Sequence, residues 1–448
     1  MSNNVSKPIV ITSIIVLFIG SSIGCIWMMS IFGIEIPRLL SKIIINHPPL
    51  QMNGFLTLLI MGIGYMIVPR FRNIPIPSLT LAHISFFFVT ASLVLQLALP
   101  YITTYENGTT FRSVLMILRM SGLVIFAVLI FSTLRVKPKL LRLSDYFIAL
   151  AVATLLSVNA VELIHPSASV FSLDNGSVNR NATADSLTSL ELWLLFPVVT
   201  IYGIEYKTLP SFLGFIRPNK TVGIASLILA FSSMALGVIS LFIPDSVLLS
   251  LIFNILLLIS SLTFASSVHV FGGFDKTEIL RLIQGEKKAR YEFITLHIKV
   301  SFVFLFIGIS MALFFNVEAI LHQQYHFILY DMAIHIIAIG FIGTTITLYF
   351  PLMLPPIIKK TINFVDFNNI PIILIGVSLC LRGLGDFMLN PNSLFSFSYL
   401  QESIWSPLLI AVRYSLGLSG WLVVGAMFVF VGMLHKSMNK APSLYENE

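Results

Sequence analysis

Twelve stretches of about twenty apolar residues recur along this 448-residue chain, and a stretch of that length has few places to go. They cover roughly residues 9–34, 50–69, 79–101, 113–135, 145–165, 190–208, 221–243, 246–269, 293–317, 327–355, 370–390 and 405–434. About twenty helical residues cross the hydrocarbon core of a bilayer. In hydrocarbon every backbone N–H and C=O must be bonded internally, so continuous apolar runs become helices. A transmembrane barrel would need alternating strands instead. Only 10% of the residues are charged, against about 25% in a soluble domain. The expected fold class is an all-α integral membrane protein with twelve transmembrane helices, its partner the lipid bilayer. The run 9–34 is longer than the apolar core of a secretory signal and reads as the first span.

The chain also repeats itself. Three apolar segments open on a polar, ligand-type residue and close on a proline: His47 to Pro69, Glu191 to Pro210 and His335 to Pro355. The first residues are evenly spaced, since 191 − 47 and 335 − 191 both give 144. Fifteen residues before each proline stand Gly54-Phe55, Leu195-Phe196 and Gly340-Phe341. A fixed internal period signals repeated architecture. It predicts three four-helix repeats with pseudo-threefold symmetry, bounded at 1–144, 145–292 and 293–448. The motif then falls on the second helix of each block.

Charge in the loops orients the chain. Basic residues follow the even-numbered spans: Arg70 and Arg72; Arg135, Lys137, Lys139 and Arg142; Lys207, Arg217 and Lys220; Lys276, Arg281, Lys287, Lys288 and Arg290; Lys359 and Lys360; Lys436 and Lys440. The opposite loops carry almost none. The positive-inside rule then predicts a multi-pass cell-membrane protein with both termini cytoplasmic. The excess of 27 Lys+Arg over 20 Asp+Glu fits this anchoring, and no basic run with interleaved aromatics points to nucleic acid. Two cysteines, Cys25 and Cys380, both in apolar runs, imply neither a disulfide framework nor a thiolate cluster.

Ionisable residues inside a span are costly, so they are functional candidates. Counted from the closing proline at ~1.5 Å per residue, His47, Glu191 and His335 lie about 33, 28 and 30 Å along their helices. Two imidazoles at one depth on facing helices are what a bis-histidine haem needs, with apolar helices burying the macrocycle. His47 and His335 are therefore the candidate axial ligands of a low-spin haem b near the external side. The alternatives are an interfacial histidine before Pro48-Pro49 and a bonded core histidine beside Asp331. His322 and His326 form an i, i+4 pair that could chelate copper or zinc, or could be solvated loop residues. Arg119, Arg382 and Arg413 sit in the outer halves of their helices. There they could hold haem propionates, or pair with Asp386, Glu162 or backbone carbonyls. Asp386 is one turn from Arg382. His83, His269, His297 and His435 read as interfacial residues at cytoplasmic helix ends. No Walker loop, CxxCH site, HExxH motif or nucleophile elbow is present.

These residues resemble a known pattern. The run from His47-Pro-Pro-Leu-Gln-Met-Asn-Gly-Phe to Val-Pro69 is similar to the second-helix signature of the NnrS family. The run His335…Gly340-Phe341…Leu354-Pro355 is similar to its later histidine–glycine–phenylalanine segment. That resemblance implies a twelve-helix, haem- and copper-containing membrane protein linked to nitric oxide metabolism. Of the family's His-x-His-Glu-Met form, His47 and Met52 stand here. More distantly the chain resembles the catalytic subunits of haem-copper oxidases and nitric oxide reductases. Their low-spin haem is held by histidines on helices 2 and 10, which His47 and His335 match. Their further metal-ligand histidines would fall on helices 6 and 7, where residues 190–208 and 221–243 contain none. The resemblance thus implies a surviving low-spin haem site and a lost reducing centre.

The expected function is a haem-binding membrane protein of electron transfer or nitric oxide metabolism. Two alternatives stand beside it. Twelve spans with both ends inside is also a transporter plan, with Arg119, Arg382 and Asp386 along a pathway, although transporter repeats usually divide the chain by two. The chain could also be a non-catalytic subunit docked to respiratory or monooxygenase partner subunits.

Overall fold

The computed structural model of the protein describes residues 5–37, 40, 43–102, 105–136, 141–164, 184–212, 215–243, 246–272, 285–322, 327–358, 360–389 and 406–440. Among the described residues twelve helices are long and apolar enough to cross a membrane: α1 Ser6–Ile31, α2 His47–Arg72, α3 Leu79–Ala98, α4 Phe111–Leu134, α5 Leu143–Ile164, α6 Thr188–Ser211, α7 Lys220–Ser240, α8 Val247–Ser267, α9 Lys287–Leu321, α10 Tyr330–Met353, α11 Ile370–Met388 and α12 Leu409–Met438. Every apolar run in the sequence became one of them. The chain is an all-helical, multi-pass membrane protein.

Burial differs sharply among the spans. The windows of α2 and α6 are 83% and 89% buried, whereas those of α3 and α7 are 28% buried. Helices α2 and α6 are interior helices, and the helix after each is a far more exposed one. Its exposed side chains, such as Phe87 and Val94 on α3 and Ile228 and Phe231 on α7, are the ones hydrocarbon tolerates.

The chain divides into two compact units. The first comprises Met1–Ile26, Ile36–Gly203 and Met234–Ser246. In it Tyr65 packs edge-on against Phe126 at 5.2 Å and Phe147 against Tyr202 at 6.0 Å. Arg72 at the end of α2 is buried. It donates to Asp145 at the start of α5 (3.2 Å) and to the carbonyl of Leu134 at the end of α4 (2.6 Å), tying three helix ends together. The second unit comprises Trp27–Glu35, Ile204–Ser233 and Val247–Glu448. Phe302 stacks on Phe264 and meets Phe341 edge-on at 5.6 Å.

One contact recurs three times along the chain. A serine on one helix donates to a backbone carbonyl on the next: Ser85 to Gly122 (2.8 Å), Ser226 to Ser260 (2.9 Å) and Ser378 to Ser419 (2.9 Å). Without a hydrophobic drive between helices in lipid, small residues and such bonds hold neighbours together. The third of these bonds falls at a break. The sequence predicts one unbroken helix over 405–434, but α12 breaks at Ser419-Gly420, between helices Ser406–Leu418 and Trp421–Lys440. The Ser419 carbonyl there accepts from both the Leu422 N–H at 3.1 Å and Ser378 at 2.9 Å.

The motif helices are not uniform α-helix either. A π-helical segment occupies Leu50–Leu56 in α2, and a second occupies Ile336–Gly343 in α10. π segments are rare and concentrate at functional sites. Thr57 closes the first of them, its hydroxyl donating to the Met52 carbonyl at 2.8 Å.

Candidate haem-ligand histidines

His47 opens α2. A 3-10 turn, Ile44–Asn46, leads into it, and Pro48 and Pro49 occupy the first helical positions, where missing N–H groups cost nothing. The half-buried imidazole lies against α1. Its Nδ1 is 2.8 Å from the Gly20 carbonyl, and one turn along α1 Gly24 makes room for the ring. A Cβ at Gly24 would stand 2.4 Å from His47 Cε1. Gln51, one turn after His47, donates to Ser21 at 3.0 Å and fixes the same face of α2 on α1.

His335 ends the helix Phe327–His335 and immediately precedes the π segment. Its Nδ1 lies 2.7 Å from the Asp331 carbonyl and 3.1 Å from that residue's carboxylate. The other carboxylate oxygen accepts from Arg382 on α11. Arg382 also faces Asp386 at 3.8 Å and the Met28 sulfur at 3.8 Å. The result is one ion-pair network with two carboxylates about one guanidinium.

The two histidines therefore share a local design. Carbonyl oxygens only accept, so at each ring Nδ1 carries the proton. In a neutral ring so bonded the lone pair is on Nε2, and metal-bound histidines are typically oriented by such a second bond. Each also stands within three residues of a π segment. The imidazoles thus fit the chemistry of a haem ligand, as Gly24 fits the close seating of His47. Gly54 and Gly340 serve packing: a Cβ would meet Val16 at 2.5 Å and Phe304 at 2.6 Å respectively.

Of the two readings of the arginines, Arg119 shows the paired one: it donates to Glu162 on α5, whose other oxygen accepts from Trp193 Nε1 at 2.9 Å. All three side chains are buried, so this is an internal Arg–Glu–Trp knot linking α4, α5 and α6. Arg382 is held by Asp331 and Asp386, and Arg413 lies half-buried in the helix Ser406–Leu418. Glu191 is buried, 6% exposed, on α6. His326 and His165 lie outside the described residues, as does the side chain of His322, so the chelating pair is not described. Among the described residues no three His, Cys, Asp or Glu side chains gather as a metal site.

Two groups depart from the sequence reading. His297 is not interfacial. It is wholly buried on α9, its ring 3.8 Å from that of Phe293 and its Nδ1 bonded to the Phe293 carbonyl at 2.8 Å. Glu205 on α6 passed unnoticed in the sequence and is also wholly buried. His83 and His435 are exposed.

No protein-family model matches the sequence, and no curated protein sequence matches it. The fold does have a counterpart among solved structures, a heme-copper terminal oxidase dimer studied by cryo-EM. It is similar over 100% of this chain and 85% of that one, with a TM-score of 0.67 and 13% sequence identity. At that identity the likeness is one of fold. The protein is a membrane protein of twelve helices whose fold is similar to that of a haem-copper terminal oxidase.

Proposed function

We propose that this protein is a haem-carrying membrane protein of electron transfer or nitric oxide handling, in which His47 and His335 hold a low-spin haem b. The observation that carries the reading is their shared local design: Nδ1 on a main-chain carbonyl, at 2.8 and 2.7 Å, beside a π segment on repeat-equivalent helices. A bound haem supplies a one-electron couple. The residues of this chain orient and insulate it. The carbonyls of Gly20 and Asp331 fix the ring tautomers, Gly24 sets the height of the His47 ring, and Asp331 adds a carboxylate behind His335. Arg119 and Arg382 act in this account as helix-joining ion pairs, and Arg413 is the arginine proposed to meet a propionate.

The arrangement as three four-helix blocks with cytoplasmic termini belongs to the same proposal. It is supported by the recurring serine–carbonyl bond and the basic loops. So do copper at His322 and His326, the NnrS-like link to nitric oxide, and docking to respiratory or monooxygenase partner subunits. The transport reading has less support, because Arg119 and Arg382, its pathway charges, are bonded to carboxylates. The test is the haem and copper content per chain of the purified protein, with electron paramagnetic resonance of the oxidised form. One haem per chain with a low-spin signal is expected. A pigment-free, fully folded protein would favour the non-catalytic subunit.

A further inference from the structure

His335 belongs to a charged group that reaches beyond its own helix. Its Nδ1 meets two acceptors on Asp331, the main-chain carbonyl at 2.7 Å and one carboxylate oxygen at 3.1 Å. The second carboxylate oxygen accepts from Nη2 of Arg382 on α11. Asp331 thus stands between an imidazole and a guanidinium, one on each oxygen. The side chains are 14% or 15% exposed, so water screens them little.

Arg382 is held from two further sides. Its Nη1 donates to the Met28 sulfur at 3.8 Å, which also accepts from Ser419 Oγ at 3.8 Å. The buried carboxylate of Asp386, one turn along α11, lies 3.8 Å from its Nε. Helices α10 and α11 approach closely beside the pair. A Cβ on Gly383, next to Arg382, would stand 2.7 Å from Cε of Met332, next to Asp331. A guanidinium so pinned fixes the direction of the Asp331 carboxylate.

The two charges have opposite effects on the imidazole. A carboxylate that accepts from the second nitrogen of a metal-bound histidine orients the ring and makes it a stronger base. A more electron-rich ligand favours the more highly charged, oxidised iron and so lowers the reduction potential. An arginine on the other oxygen draws the carboxylate charge away from the ring and opposes that lowering. Hydrogen bonding behind the axial ligand is one of the means by which a protein sets haem potentials.

We propose that Arg382, acting through Asp331, is a positioning residue that sets the reduction potential of the haem held by His335. This rests on the haem reading above and goes beyond ligation. Asp331 biases the haem toward its oxidised state, and Arg382 limits that bias.

Redox titration of the whole protein in lipid nanodiscs, read by its optical spectrum, tests it, with haem content per chain measured for every variant. Asp331→Asn keeps the main-chain carbonyl and the size of the side chain, so haem should stay bound and its potential should rise. Arg382→Met/Asp386→Leu removes one charge of each sign and leaves Asp331 to His335 alone, so the potential should fall. In an Asp331→Asn background the same double substitution should shift the potential far less. Should one of these variants not fold, the sign of the shift in the other decides. An unchanged potential, a shift of the opposite sign, or an equal shift in the Asp331→Asn background would overturn the inference. The haem reading would still stand on a parent spectrum that His335→Ala abolishes. Loss of haem with no shift in the potential of what remains would mark a merely structural network and overturn the inference too. A parent protein that binds no haem would overturn both.

Discussion

The Arg119–Glu162–Trp193 knot allows a quantitative prediction. Arg119 and Glu162 are 4% and 1% exposed, so neither charge has water to fall back on. Removing one partner of a buried pair leaves the other charge uncompensated and typically costs about 3–5 kcal/mol. Arg119→Met should therefore destabilise by about 3–5 kcal/mol, more than a hundredfold in the folding equilibrium. Glu162→Leu should cost at least as much, because it also strips Trp193 Nε1 of its acceptor. The double variant Arg119→Met/Glu162→Leu removes both charges together and leaves the indole N–H unpaired, a cost of about 1–3 kcal/mol. The double should thus be more stable than either single variant. Unfolding by sodium dodecyl sulfate in mixed micelles measures all four proteins on one scale. Additive losses, with the double as unstable as the two singles combined, would refute the claim that these charges compensate each other.

Other substitutions probe different parts of the account. Gly24→Val places a branched side chain where a Cβ alone would be 2.4 Å from the His47 ring, so haem content should fall while the protein still folds, as pigment-to-protein ratio will show. On α11 two glycines should behave oppositely. Gly385→Ala drives a methyl to 2.4 Å from Phe32 and should lower the melting temperature, whereas Gly376→Ala meets nothing within 4 Å and should gain about 0.5–1 kcal/mol. Ser226 and Ser260 donate reciprocally to each other's carbonyls, at 2.9 and 2.8 Å, so Ser226→Ala should cost about 0.6 kcal/mol by micelle unfolding.

What could be read from the sequence follows from what hydrocarbon demands. Twelve spans were legible because each needs a continuous apolar run, and loops between them interrupt it. The 144-residue period was enough to single out His47 and His335, which lie two periods apart. The π segments beside them were not legible, because one extra residue in a turn leaves apolar composition unchanged. The break in α12 was hidden because Ser419-Gly420 is too short to interrupt a long apolar run. Glu162 could be named as a possible partner of Arg119, but at 43 residues' separation the sequence could not choose between that pairing and a propionate. His297 looked interfacial because Arg290 and Lys299 flank it in sequence, yet packing on Phe293 buries it. Glu205 was passed over among Tyr206 and Lys207 near a helix end. The one available hint was that a shift of 144 lands on another polar residue, Tyr349.

The central claim, that His47 and His335 are haem ligands, is tested most directly by the reduced-minus-oxidised optical spectrum of the purified protein and of its two single alanine variants. The account predicts a b-type spectrum for the parent protein and its loss or conversion to a high-spin form in both His47→Ala and His335→Ala. A folded parent with no such spectrum, or one unchanged in either variant, would contradict it.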